Sequence, residues 1–294
     1  MPTARWSHSA SVVNGKIYVI GGTDGKDFFI PTVEEYDPKT DKWTKKLDIP
    51  TPRQFLSTSA VNGKIYAIGG YGGGPIERAA VEEYDPATDK WTKKADMPTP
   101  RMWFSTGVVN GKIYAIGGWQ KGIVISPSPV EEYDPVADKW TKKPDMPGAA
   151  VRGLSASVVN ERIYVFGGWD GNKDVSTVRG YNPITGTWTK KTDMPTARSI
   201  FSTSVVDGKI YAIGGTGAVE EYDPVKDKWV NKADMVIARW WLSTSAVNGK
   251  IYVIGGSSGN GVLSTVEEYD TGFSGKSVEA TGKLPAQWGG MKQY

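Results

Sequence analysis

Few residues in this 294-residue chain could do chemistry unaided. Cysteine is absent, which removes a thiolate nucleophile, a Cys-based metal site and any disulfide framework. One histidine is present, His8, in "RWSHS". Histidine can serve as a general base near neutral pH, but triad chemistry needs a partner for it. A multi-histidine metal site is excluded, and neither a metal nor a cofactor is expected. Gln54, Arg152 and Ser199, or an acid such as Asp170 or Asp174, could position a reactant and hydrogen-bond to it. The catalytic candidates are therefore Gln54, Arg152, His8 and Ser199, and no recognised catalytic motif surrounds them.

The elements that must carry these residues are repeated. Paired glycines end an apolar run six times, at 21–22, 69–70, 117–118, 167–168, 214–215 and 255–256. A period of about 50 residues belongs to the propeller class of repeats. Short segments that alternate with period two argue for strands over helices. One unit reads as four strands. "STSAV" is joined to "KIYAIGG" by Asn-Gly or Asp-Gly, which accept the positive φ of a tight type I′ hairpin. "VEEYDP" and "DKWTKK" follow, with Asp-Pro suited to a type I turn. Tyr and Trp lie seven positions apart in five units, from Tyr36/Trp43 to Tyr222/Trp229. The sixth unit keeps Tyr269 but continues "TGFSGKSVEA", without the tryptophan.

An apolar strand ending in a glycine pair, followed by Tyr and Trp at fixed spacing, resembles the Kelch family across essentially the whole chain. The resemblance implies an all-β, six-bladed Kelch-type β-propeller, with four antiparallel strands per blade around a central channel. The repeat logic reaches the same architecture, because one four-stranded unit cannot bury both faces but a closed ring can. The expected blades of this single domain are approximately 1–49, 50–97, 98–146, 147–194, 195–235 and 236–294. Each unit begins at its innermost strand and ends at its outermost. The seam between blades six and one should therefore share no strand. The tail "KLPAQWGGMKQY" is expected to cover that seam, with Trp288 as a plug.

Comparing the units with one another separates scaffold from site. The lysines of the recurrent "TKK" read as edge-strand protection against sheet-to-sheet aggregation. The glycine pairs read as places of close backbone approach or unusual φ. The spaced tryptophans read as inter-blade packing. An arginine precedes the first strand at Arg5, Arg53, Arg101, Arg198 and Arg239, and pairing with a "VEEY" glutamate is expected because charged residues are seldom buried alone. The fourth unit has Val151 there instead, with Arg152 one step later. His8 is equivalent to Leu56, Phe104, Leu154, Phe201 and Leu242, so a packed inner-strand role is favoured.

Two positions after the arginine site vary: Trp6-Ser7, Gln54-Phe55, Met102-Trp103, Arg152-Gly153, Ser199-Ile200 and Trp240-Trp241. The residue after each glycine pair varies too: Thr23, Tyr71, Trp119, Trp169, Thr216 and Ser257. Similarity to Kelch propellers implies that both sets ring one mouth of the channel and make the binding site. In peptide-binding relatives, the position of Arg152 and Ser199 often carries a polar or basic ligand contact. The expected ligand-binding residues are Trp6, Phe55, Tyr71, Met102, Trp103, Trp119, Trp169, Ile200, Trp240 and Trp241. A concave aromatic surface with a few polar groups is the usual form of a ligand pocket, and exposed apolar area generally marks a binding surface. The second-to-third strand loops are long in blade three ("WQKGIVISPSP", with Ile123, Val124 and Ile125 expected exposed) and blade one (with Phe28 and Phe29), but blade five is pared to "TGA". The rim should be lopsided, low at blade five.

The formal net charge is only +3, from 35 Lys and Arg against 32 Asp and Glu, which is no signature of a nucleic-acid binder. No stretch approaches the roughly 18 apolar residues of a membrane span, and "MPTARWSHSA" has no apolar signal core. The expectation is a soluble monomer that touches neither nucleic acid nor membrane. Its partner would be an apolar or aromatic small molecule, or a peptide segment with such an anchor. The alternatives are an enzyme using the same pocket and a protein–protein interaction scaffold. Near-identical units beside individual mouth residues also fit an engineered member of the family, with a pocket designed or evolved for a non-natural reaction.

Overall fold

The computed structural model describes residues 1–73, 79–120, 123–273, 287–289 and 292. Six four-stranded antiparallel sheets form the blades of a propeller. The innermost strands are Ser9–Val13, Ser57–Val61, Ser105–Val109, Ser155–Val159, Phe201–Val206 and Ser243–Val247. The second strands are Lys16–Ile20, Lys64–Ile68, Lys112–Ile116, Arg162–Phe166, Lys209–Gly214 and Lys250–Ile254. The third are Val33–Asp37, Val81–Asp85, Ser128–Asp134, Val178–Asn182, Val219–Asp223 and Val266–Asp270. The outermost are Lys42–Lys46, Lys90–Lys94, Lys139–Met146, Thr187–Lys191, Lys228–Asn231 and Gln287–Trp288.

Local sequence explains this order. Asn14 and Gly15 both take positive φ (52° and 73°), as the tight hairpin requires. The glycine pairs meet both conditions expected of them. Gly21 and Gly22 have φ of 67° and 97°, and a Cβ on Gly21 would lie 2.5 Å from the Arg53 carbonyl oxygen of the next blade. The Gly22 amide donates to that same oxygen at 3.0 Å, stitching blade one to blade two.

The core lies between blades. Val13, Tyr18, Ile20 and Val33 of blade one join Ile65, Ala67 and Tyr84 of blade two in one buried cluster, with Trp91 packed against it. The Trp91 indole N–H donates at 3.1 Å to the Leu47 carbonyl, just past the outer strand of blade one. The arginines pair as expected: Arg5–Glu34 at 2.8 Å, Arg53–Glu82 and Arg101–Glu131 at 2.6 Å, Arg198–Glu220 at 2.7 Å, and Arg239–Glu267. Alternate lysines of the outer strands turn inward, Lys46 to Glu35 at 3.2 Å and Lys143 to Glu132 at 2.8 Å.

The seam shares no strand, but Trp288 is not a plug over it. Its residue pairs with Tyr269 in the outermost strand of blade six, so the tail completes that blade. The seam itself is packed like the others: Val247, Tyr252 and Ile254 of blade six cluster with Ile17, Val19 and Tyr36 of blade one, and buried Met1 joins them. Lys292 adds an ion pair to Asp41 of blade one at 3.0 Å. The rest of the tail from 283 onward lies outside the described residues.

Candidate functional site

The segments leading into the innermost strands meet on the axis. In five blades the first variable residue exchanges backbone hydrogen bonds with the residue after the glycine pair: Trp6 with Thr23, Gln54 with Tyr71, Met102 with Trp119, Arg152 with Trp169, and Trp240 with Ser257. Both variable sets thus lie at one end of the channel.

The next residue turns inward. Ser7, Phe55, Trp103, Gly153, Ile200 and Trp241 all take φ between 53° and 63°. Each amide donates to the carbonyl of its counterpart in the preceding blade: Phe55 to Ser7 (2.9 Å), Trp103 to Phe55 (3.4 Å), Gly153 to Trp103 (2.8 Å), Ile200 to Gly153 (2.8 Å), Trp241 to Ile200 (3.3 Å) and Ser7 to Trp241 (3.0 Å). Six backbone hydrogen bonds thus close a ring around the axis. Glycine is the only one of these residue types at home in the left-handed region, so Gly153 alone hinted at the conformation in the sequence.

The ring, with the buried layer His8, Leu56, Phe104, Leu154, Phe201 and Leu242, encloses a cavity of about 110 Å³. Pockets for drug-sized ligands run to roughly 300–1,000 Å³. The aromatic side chains pack on one another in an arc above it. Trp241 meets Trp6 at 4.8 Å between ring centroids, Trp6 meets Phe55 at 6.0 Å, Phe55 meets Trp103 at 4.8 Å, and Trp103 meets Trp119 at 5.5 Å. Tyr71 stands beside this arc against Phe29 of the blade-one loop, at 5.4 Å. Blade five contributes Ser199, Ile200 and Thr216 and leaves a gap in the arc.

Arg152 ends the arc. Its guanidinium carbon lies 4.3 Å from the Trp169 ring centre, 4.6 Å from Trp103 and 5.7 Å from Trp119. Cation–π attraction of about 0.5–2 kcal/mol per contact holds such a group. Among the described residues, no carboxylate pairs with it. Burial lowers its pKa from the ordinary arginine value, and it stays charged. Its guanidinium N–H groups are donors of the kind that a planar oxyanion accepts from.

The other polar candidates are placed differently. Gln54, Ser199 and His8 are 6%, 8% and 6% exposed. Burial, with Arg5 adding to it, pushes the His8 pKa down to about 3, against an upward pull from the Ile254 backbone. His8 is thus neutral at pH 7, in the packed layer its equivalents suggest. Met102 is also buried. Trp6, Phe55, Tyr71, Trp103, Trp119, Trp169, Ile200 and Trp241 are partly exposed, and Trp240 is open to solvent. Asp170 accepts hydrogen bonds from the Asn172 and Lys173 amides of its own loop, and Asp174 is exposed. Phe28 is exposed, and Val124 and Ile125 are partly so; the Ile123 side chain lies outside the described residues. Among the described residues no cluster of acids and histidines could hold a metal, and no helix is long and apolar enough to cross a membrane. The backbone ring and the tryptophan cage of Arg152 were not read from sequence, since both exist only once six distant segments converge.

Fold and mouth together define a six-bladed propeller with a variable, aromatic face at one end of the channel. Residues 1–150 match the family model described as the KLHDC2/KLHL20/DRC7 Kelch-repeats domain, and the Kelch motif matches 150–195, 197–236 and 242–274. The chain belongs to the Kelch-repeat family. Kelch domains generally mediate binding of proteins or peptides. Beta-scruin of Limulus polyphemus is 40% identical over 50 residues, a stretch that is 17% of this chain and 6% of that protein. The solved structure of YjhT is similar with a TM-score of 0.79 over 92% of this chain and 96% of that one, at 16% identity, a likeness of fold alone.

Proposed function

We propose that the mouth binds a peptide segment, or a small molecule of like chemistry, that presents an apolar or aromatic group beside an oxyanion. The observation that carries this reading is Arg152, paired with no carboxylate among the described residues and within cation–π distance of Trp103 and Trp169. The anion would meet the guanidinium edge, and the apolar group would lie on the Trp241–Trp6–Phe55–Trp103 arc. Burying one aromatic group contributes about 1.5–3 kcal/mol, so several contacts support micromolar binding after association costs. The small axial cavity favours a ligand lying across the mouth over one engulfed by it. The enzyme alternative has less support, because Gln54, Ser199 and His8 are withdrawn from the surface. Binding of an apolar anionic dye should be lost in the Trp103→Ala/Trp241→Ala double variant; unchanged binding by a folded double variant would sink the proposal.

A further inference from the structure

Blade four breaks the charge pattern of the other five. Elsewhere the first glutamate of "VEEY" is buried and neutralised by its blade's arginine, as Glu34 is by Arg5. In blades one, two, three and five a threonine also donates to it, as Thr3 does to Glu34 at 2.8 Å. Blade four has Val151 for the arginine and Arg179 for the glutamate. The cross-strand pairing is inverted as well. Glu34, Glu82 and Glu131 stand opposite Lys45, Lys93 and Lys142, whereas Arg179 stands opposite Lys190. Like charges directly opposite on a sheet repel.

These two cations flank a cavity of about 240 Å³ walled by Pro147, Gly148, Thr177, Val178, Trp188 and Thr189. The chain makes room for the guanidinium there: Gly148 has φ of 86°, and a Cβ on it would lie 2.4 Å from Arg179 Nη2. Among the described residues, the one hydrogen bond of the Arg179 side chain is from Nη1 to the Thr177 hydroxyl, at 3.1 Å. Asp193 forms an ion pair with the exposed Lys190 at 4.0 Å and acts on Arg179 as well.

We propose that this cavity is a second binding site, separate from the mouth, for a small ligand bearing a phosphate or carboxylate group. Arg179 and Lys190 would hold the oxyanion, and the Trp188 and Pro147 side chains would flank the body that carries it. Burial lowers the Arg179 pKa, with Asp193 opposing, which is the cost a bound anion would relieve.

The test is NMR titration of the full chain with inorganic phosphate and, separately, benzoate, at constant ionic strength set with chloride. The proposal expects saturable shifts of the Arg179 Nε–H and Trp188 indole N–H signals, retained in Arg152→Gln. Tighter binding of benzoate would mark a carboxylate with an apolar body, and tighter binding of phosphate a phosphoryl group. Arg179→Gln and Gly148→Ala should each weaken binding at least tenfold. Arg179→Glu, which puts a carboxylate where the anion would bind, should abolish the response. Absence of saturable shifts with either anion, or equal shifts of Trp188 in Arg179→Gln, would overturn the proposal.

Discussion

Trp288 packs on Tyr269 with ring centroids 4.8 Å apart, although nineteen positions separate them in the chain. The separation matches the pairs seven positions apart, such as Tyr181–Trp188 at 4.7 Å and Tyr133–Trp140 at 5.0 Å, although the rings are more steeply inclined, 56° against 33° and 36°. Even the indole hydrogen bond is reproduced: Trp288 donates to the Ala233 carbonyl at 3.0 Å, as Trp140 does to Ala95. The sixth blade thus recovers its tryptophan from the tail. Trp288→Ala should cost roughly 2–3 kcal/mol, below the roughly 3–5 of a fully buried ring. Exposed Trp240→Ala should stay within about 0.5 kcal/mol. Urea unfolding measures both, and equal midpoints would contradict the assignment.

The buried pairs make a second prediction. Arg101 is fully buried, its guanidinium held by Glu131 and by the carbonyls of Gly117, Pro129 and Ala115. Burial lowers its pKa to about 10, with Glu131 opposing. Arg101→Val should destabilise by about 3–5 kcal/mol, because Glu131 is left buried without its countercharge. Adding Glu131→Leu should recover only part of that, since the carbonyls still lose their donor. Denaturant midpoints of the single and double variants check the order.

The state of His8 sets a pH dependence. Its pKa of about 3 in the folded protein lies below the ordinary value of 6.5, so in that interval the unfolded chain binds the proton and the folded one does not. Stability from this group is complete above about pH 6.5 and falls toward pH 3, by about 1.4 kcal/mol per pH unit. His8→Leu, the residue of three equivalent positions, should flatten that part of the acid limb and leave stability at pH 8 nearly unchanged. Urea titrations from pH 4 to 8 measure the difference between the two proteins. Parallel curves would contradict the buried neutral imidazole.

The scaffold was legible where its signals are local. Asn14-Gly15 fixes a hairpin, and Tyr36 and Trp43 span a single turn. The sixth tryptophan was not, because its partner strand returns after a long insertion. At the mouth, variation between units marked the right positions but not which side chains face outward. Gln54 and Met102 are buried although Trp6 and Trp240, in the same backbone pairing, are not, while Phe55 and Trp103 are turned to the axis by a left-handed backbone that their residue types disfavour. The cage around Arg152 draws rings from blades three and four, and no spacing within one unit encodes it.

The measurement closest to the central claim compares two dyes on the wild type and on Arg152→Gln, both in an Arg179→Gln background. One dye is 8-anilinonaphthalene-1-sulfonate, which joins aromatic rings to an anion; the other is neutral and apolar. Loss of the guanidinium should weaken the sulfonate dye about tenfold or more, which is about 1.4 kcal/mol, and leave the neutral dye within about twofold, since its contacts are to the rings alone. Equal affinity of the sulfonate dye for both proteins would contradict the assignment of Arg152 as the anion-binding residue of the mouth.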